Sequence, residues 1–150
     1  VRLMNSQASR AMENGLTGVE FASGIPGSLG GGVFMNAGAY DGELKDIVGE
    51  VRVLSADGAH IRIVKNAEMN YGYRHSSLMA AREIVLSATL NLAKGQRNEI
   101  VAKMKDYNDR RNMKQPMELP SAGSFFKRPH GYYAGKLIED SGLKGLTGIT

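Results

Sequence analysis

Leu3, Met4, Ala8, Ala11 and Met12 recur at helical spacing, and Gly15 falls where a left-handed C-terminal cap would stand, so the chain opens with a short helix. A period of two appears further on. Val51 and Val53, then Ile61 and Ile63, alternate with polar residues on either side of Asp57-Gly58, which predicts a β-hairpin. Leu86, Ala88, Leu90 and Leu92 line one face of a further strand. The helical period returns at Ile100, Val101, Met104 and Tyr107, supported by Glu99 with Lys103 and Asp106 with Arg110, each four apart. Gly24 to Gly42, by contrast, is so dense in Gly and Pro that it predicts a glycine loop with a specified backbone.

Pro116 ends the long helix, and with Pro120 it interrupts any regular structure, which predicts a boundary between units 1–115 and 116–150. The second unit carries a helix with apolar positions Ala134, Leu137 and Ile138, ending near Gly142. Helix, glycine loop, hairpin, strand and helix in that order fit an α+β fold rather than a regular doubly wound sheet. Val1 is not a methionine and Thr150 follows Gly142, Gly145 and Gly148 in what reads as mid-loop, so the chain is expected to be an excised fragment.

Composition narrows the chemistry. The chain has 150 residues with 42% hydrophobic content and a formal charge of +4, enough for a globular core and compatible with an anionic ligand. Zero cysteines exclude disulfides, thiol catalysis and thiolate metal sites, and His60, His75 and His130 show no ligand spacing, so no metal is expected. The apolar runs are too short for a membrane helix and no signal segment opens the chain, which predicts no membrane insertion and a cytoplasmic location. Aromatics make up only 7% and do not interleave with a basic run, which speaks against a nucleic-acid partner.

Gly24, Gly27, Gly30, Gly31 and Gly32 lack the Rossmann spacing, and Pro26 lies where that turn needs a free N–H. Two readings remain for this string: a tight structural turn, or a backbone left bare for a phosphate or a flat ring. Arg74 is either a surface arginine or a guanidinium forked onto a carboxylate. Ser124, among small residues between Pro120 and Pro129, is either solvated or a hydroxyl on a constrained backbone. Arg110, Arg111, Lys114, Lys127 and Arg128 form either a solvated face or a pyrophosphate grip.

Four strings change that balance. Gly24-Ile25-Pro26-Gly27 with Gly30-Gly31 and Met35-Asn36-Ala37-Gly38-Ala39-Tyr40 resembles the flavin-binding signature of the UDP-N-acetylenolpyruvoylglucosamine reductase (MurB) family. Tyr71-Gly72-Tyr73-Arg74-His75-Ser76, Pro120 to Lys127, and Ala134 to Gly145 match the same family in the same order, and the lack of an insertion near Tyr71 resembles its shorter, second type. Gly32 stands where alanine is usual, and Asp41 where glycine is.

The resemblance implies the second lobe of a PCMH-type (vanillyl-alcohol-oxidase-like) FAD-binding domain at 1–115, then the truncated opening of an α+β substrate-binding domain at 116–150. It implies FAD and NADPH as cofactors and UDP-N-acetylglucosamine enolpyruvate as substrate. Arg74 would stabilise charge on the substrate carboxylate and Ser124 would donate a proton. Gly24, Ile25, Pro26, Gly27, Gly30, Gly31, Asn36, Ala37, Gly38 and Ala39 would meet the flavin; Tyr73, Arg111, Lys127, Arg128 and Tyr132 would meet the substrate. A first flavin lobe would precede Val1 and a catalytic glutamate would follow Thr150. The rival readings are an FAD-linked oxidase of the same fold and a non-catalytic nucleotide- or nucleic-acid-binding module.

Overall fold

A computed structural model describes residues 2–113 and 126–146. The first apolar stripe forms α1 (Met4–Glu13), which buries Met4, Ala8 and Ala11. Gly15 follows at φ +63, the left-handed conformation that ends the helix at no Cβ cost. After the two-residue strand β1 (Leu16–Thr17) and a 3-10 turn that buries Phe21, the chain enters α2 (Leu29–Met35). The minimal hairpin β2 (Gly38–Ala39) and β3 (Gly42–Glu43) leads to β4 (Val48–Leu54), the centre of the main sheet. β5 (Ile61–Lys65), α3 (Leu78–Ala81), β6 (Ile84–Leu90), β7 (Ala93–Lys94) and α4 (Arg97–Asn112) complete this part of the chain.

The main sheet is antiparallel in the order β5-β4-β6, and β7 returns to pair with β1. One hydrophobic core joins α1, α2, the sheet and α4, with Val33, Leu44, Val51, Val53, Val64, Met69 and Leu78 all buried.

Two strand faces differ from the alternation in the sequence. β4 and β5 pair with Val51 opposite Val64, so Val64 is buried while Ile61 and Ile63 take the other face, each 55% exposed. In β6 the register passes from Arg52 opposite Ser87 to Val53 opposite Val85, which makes Leu86 an extra residue at a bulge. Val85, Ala88 and Leu90 therefore pack on the core, and Leu86 is exposed. In α4, Ile100 and Tyr107 are buried but Val101 faces outward. Asp106 pairs with Arg110 at 2.7 Å, as the spacing predicts, and Lys105 pairs with Asp109 at 2.6 Å.

The chain divides into two compact units, Val1–Pro116 and Met117–Thr150. The second unit contains α5 (Ala134–Asp140), which ends two residues before Gly142 takes φ +70. Lys136 pairs with Asp140 at 2.7 Å within it, and Lys144, beyond its end, pairs with Glu139 at 2.8 Å.

Candidate functional site

The predicted glycine loop is a loop only in its first half. Gly27, at φ +129, ends the turn, and α2 then runs through Gly30, Gly31 and Gly32. The reason is local: Ser28 is extended and its Oγ accepts the Gly31 N–H at 3.1 Å, an N-cap strong enough to start a helix.

The three helical glycines differ in what surrounds them. A Cβ on Gly32 would lie 2.8 Å from Met4 Sδ and 3.1 Å from Leu44, so α1 packs closely on α2 there and a larger residue would have to displace the buried Met4 side chain. Met4 thus accounts for the departure from alanine. At Gly30 the nearest atoms are those of Val85, at 3.7 Å, and at Gly31 only Ser28 Oγ approaches, at 3.2 Å. Glycine in a helix interior costs about 1 kcal/mol relative to alanine, and the surrounding protein gives no packing reason to retain it at Gly30, whereas at Gly31 a Cβ would press on the capping Ser28 Oγ. Gly30 opens onto a groove of about 450 Å³ that Arg2, Gln7, Ser28, Val85 and Ser87 also line. α2 therefore offers bare backbone to whatever enters that groove, an arrangement that fits a phosphate or flat ring in close approach.

At the other end of α2, Asn36 caps the helix in a left-handed conformation (φ 52) and is fully buried. Its Nδ2 donates to Gly72 O at 2.9 Å and to Glu43 Oε2 at 3.1 Å, and its Oδ1 accepts the Lys45 N–H at 2.9 Å. Ala37 is buried, and Gly38 and Ala39 form β2. A Cβ on Gly38 would lie 2.7 Å from the Gly42 carbonyl, so the hairpin closes only over glycine.

Arg74 reaches this segment. Its Nη2 donates to Gly38 O at 2.9 Å and its Nη1 to Asn36 O at 3.2 Å, with the guanidinium 5.3 Å from the centre of the Tyr73 ring. The structure thus joins Tyr73 and Arg74 to the Asn36–Ala39 part of the predicted flavin set. The Lys45 ammonium, opposed by partial burial and aided by Asn36 and Arg74, holds the Glu43 carboxyl below the usual carboxylate range.

Arg111, on α4, packs over Gly24: a Cβ there would lie 2.6 Å from Arg111 Nε. That Nε is buried and has no hydrogen-bond partner, so a cation with an unused donor borders the Gly24 end of the predicted flavin segment. Ile25 packs on the core, while Pro26 and Gly27 are exposed. The Tyr71 hydroxyl is likewise buried without a partner, and burial pushes its pKa up to about 12.

In the second unit, Arg128 Nε donates to Tyr132 O at 3.2 Å and its guanidinium lies 4.1 Å from the Tyr133 ring centre. Lys127 is exposed. Ser124 lies outside the described residues. Sequence reasoning missed the groove wall formed by Arg2, Gln7 and Val85–Ala88, since residues brought together from the start of the chain and from a bulged strand carry no shared motif. It also missed Glu43 as a partner of Asn36. Among the described residues no group of three or more His, Cys, Asp or Glu side chains can hold a metal ion, and no helix is long and apolar enough to cross a membrane.

The mixed helix and sheet fold, together with the family model and the solved structure that match it, places the chain in the class of α+β FAD-binding proteins. A family model described as "FAD binding domain" matches residues 4–63, and one described as "UDP-N-acetylenolpyruvoylglucosamine reductase, C-terminal domain" matches residues 115–148. By sequence the chain belongs to the UDP-N-acetylenolpyruvoylglucosamine reductase family. It is 57% identical over 97% of its length to the protein of that name from Limosilactobacillus reuteri subsp. reuteri, covering 48% of it. The Clostridium beijerinckii protein of the same name is 52% identical over 96% of this chain, which covers 47% of it. The crystal structure of UDP-N-acetylenolpyruvylglucosamine reductase (MurB) from Thermus caldophilus superposes with a TM-score of 0.84 at 40% identity, over 96% of this chain and 52% of that one. The chain thus spans about half the length of the relatives it matches.

Proposed function

We propose that this chain is the part of an FAD- and NADPH-dependent reductase that presents the flavin to UDP-N-acetylglucosamine enolpyruvate, yielding UDP-N-acetylmuramate for peptidoglycan precursor synthesis in the cytoplasm. Residues 1–115 are the second lobe of the flavin domain and 116–150 the opening of the substrate-binding domain. One observation carries the reading: α2 keeps glycine at position 30, on the wall of a groove, where the protein's own packing does not ask for it. The buried, unpartnered Arg111 Nε beside Gly24 supports it. When bound, FAD supplies hydride transfer from NADPH to the enolpyruvyl carbon.

The chain's own residues do the rest. The backbone of Gly24–Gly27, Gly30–Gly31 and Ala37–Ala39 lets the flavin approach. Arg74 has two of its N–H groups anchored on carbonyls and turns its remaining donors to the substrate carboxylate, where negative charge builds as hydride adds to the neighbouring carbon. Ser124 supplies the proton that completes the saturated product. Arg111, Lys127 and Arg128 bind the diphosphate, with Tyr73 and Tyr132 against the sugar and base.

The test is an anaerobic titration of a full-length protein carrying this sequence. NADPH is expected to bleach the flavin's visible absorption, and the enolpyruvyl substrate is expected to restore it without oxygen. Recovery only on admitting oxygen would make the protein an oxidase, and absence of flavin absorption would leave a binding module.

A further inference from the structure

We infer that Asn36 is the positioning residue for Arg74 rather than a flavin ligand, an inference that rests on the reductase reading of the site. Arg74 sits in a turn closed by paired backbone bonds, Gly72 N–H to His75 O at 3.1 Å and His75 N–H to Gly72 O at 3.2 Å. It holds φ +53 there, a conformation that residues other than glycine adopt rarely. An arginine is kept in that geometry only if the surroundings over-determine it. Asn36 touches it from two directions. Its amide donates to the carbonyl of Gly72, the first residue of the turn, and its own carbonyl accepts from the Arg74 guanidinium.

Neither amide hydrogen of Asn36 is left for a ligand. One goes to Gly72 and the other to the Glu43 carboxylate, while Oδ1 takes the Lys45 N–H, and the side chain is fully buried. The same residue is the left-handed C-cap of α2. The helix whose bare face meets the groove and the turn that carries Arg74 are therefore coupled through one side chain. Displacement of that side chain moves the guanidinium relative to the bound flavin and substrate, and misplacement of a charge-stabilising group by a fraction of an ångström slows the step it serves.

The test uses a full-length protein carrying this sequence and three forms of it. Asn36→Gly keeps the left-handed backbone and deletes the amide. The substrate is expected to reoxidise the flavin about tenfold more slowly or worse, with flavin reduction by NADPH and FAD affinity each within about twofold of wild type. The Gly72 and His75 amides are expected to exchange about fivefold faster, those of Met104 and Tyr107 in α4 unchanged.

Asn36→Asp sets a carboxylate against the Glu43 carboxylate, and adding Glu43→Gln removes that repulsion without restoring a donor to Gly72. The double variant is expected to regain thermal stability over Asn36→Asp but not the substrate half-reaction. A merely structural Asn36 would return both together, and that result overturns the inference. So does Asn36→Gly reoxidising at the wild-type rate, or losing FAD affinity instead. A wild-type protein that never reduces the enolpyruvyl substrate overturns the reductase reading instead; the exchange rates of Gly72 and His75 then decide the structural coupling alone.

Discussion

Gly30→Ala separates what the fold needs from what a ligand needs. In the free protein the new Cβ finds Val85 at 3.7 Å, an ordinary van der Waals contact. Alanine is favoured over glycine in a helix by about 0.8–1.0 kcal/mol, so the variant is expected to gain close to 1 kcal/mol and to melt about 2–4 °C higher. The same methyl intrudes on the groove. Overpacking against a ligand that relies on bare backbone costs about 1–3 kcal/mol, which weakens FAD binding by about 5- to 150-fold. Thermal melts without flavin and fluorescence titrations with it measure the two effects separately in a full-length protein. Gly32→Ala is the internal contrast: its Cβ would lie 2.8 Å from Met4 Sδ, so it is expected to destabilise the free protein. A Gly30→Ala protein that melts lower than wild type, or that binds FAD equally well, would refute the reasoning from the helical glycines.

Burial pushes the Glu20 carboxyl up, but the Thr17 hydroxyl, the backbone amides of Glu20 and Gly18 and the Lys103 charge outweigh it and hold it below the usual 4.5. Its contribution to stability is thus full above pH 4.5 and is lost as pH falls through the lower folded value, so Glu20→Gln is expected to flatten the acid limb of a denaturation profile. Arg62 grips the buried Glu83 carboxylate with two bonds of 2.7 and 2.8 Å, and Arg62→Ala, which strands that carboxylate, is expected to cost about 1–3 kcal/mol in urea unfolding. Ser124→Ala is expected to slow flavin reoxidation by substrate about 10²- to 10⁴-fold without changing flavin reduction by NADPH, as rapid mixing measures.

The elements were legible where period and punctuation agreed. Asp57-Gly58 between two alternating runs could only turn a hairpin, and Gly15 ends α1 where a left-handed cap was expected. Faces were harder to read than elements. Which of Ile63 and Val64 points inward depends on pairing with Val51, and the bulge at Leu86 leaves no mark in a run that alternates up to it. α2 was hidden because three consecutive glycines outweigh one N-cap serine in any local reading, whereas in the folded chain Ser28 and the packing of Gly32 on Met4 prevail. The site was legible as strings and not as geometry. The motifs name Asn36 and Arg74 separately, and only the fold shows that the carbonyl of the first accepts from the guanidinium of the second.

The most direct test of the account is the fate of Arg74→Lys in rapid-mixing kinetics of a full-length protein carrying this sequence. A lysine keeps the charge but cannot both hold the carbonyls of Asn36 and Gly38 and fork onto a carboxylate. NADPH is expected to reduce the flavin at close to the wild-type rate while the enolpyruvyl substrate reoxidises it at least tenfold more slowly. Loss of flavin reduction with reoxidation preserved would contradict the role assigned to Arg74 and, with it, the orientation of the whole site.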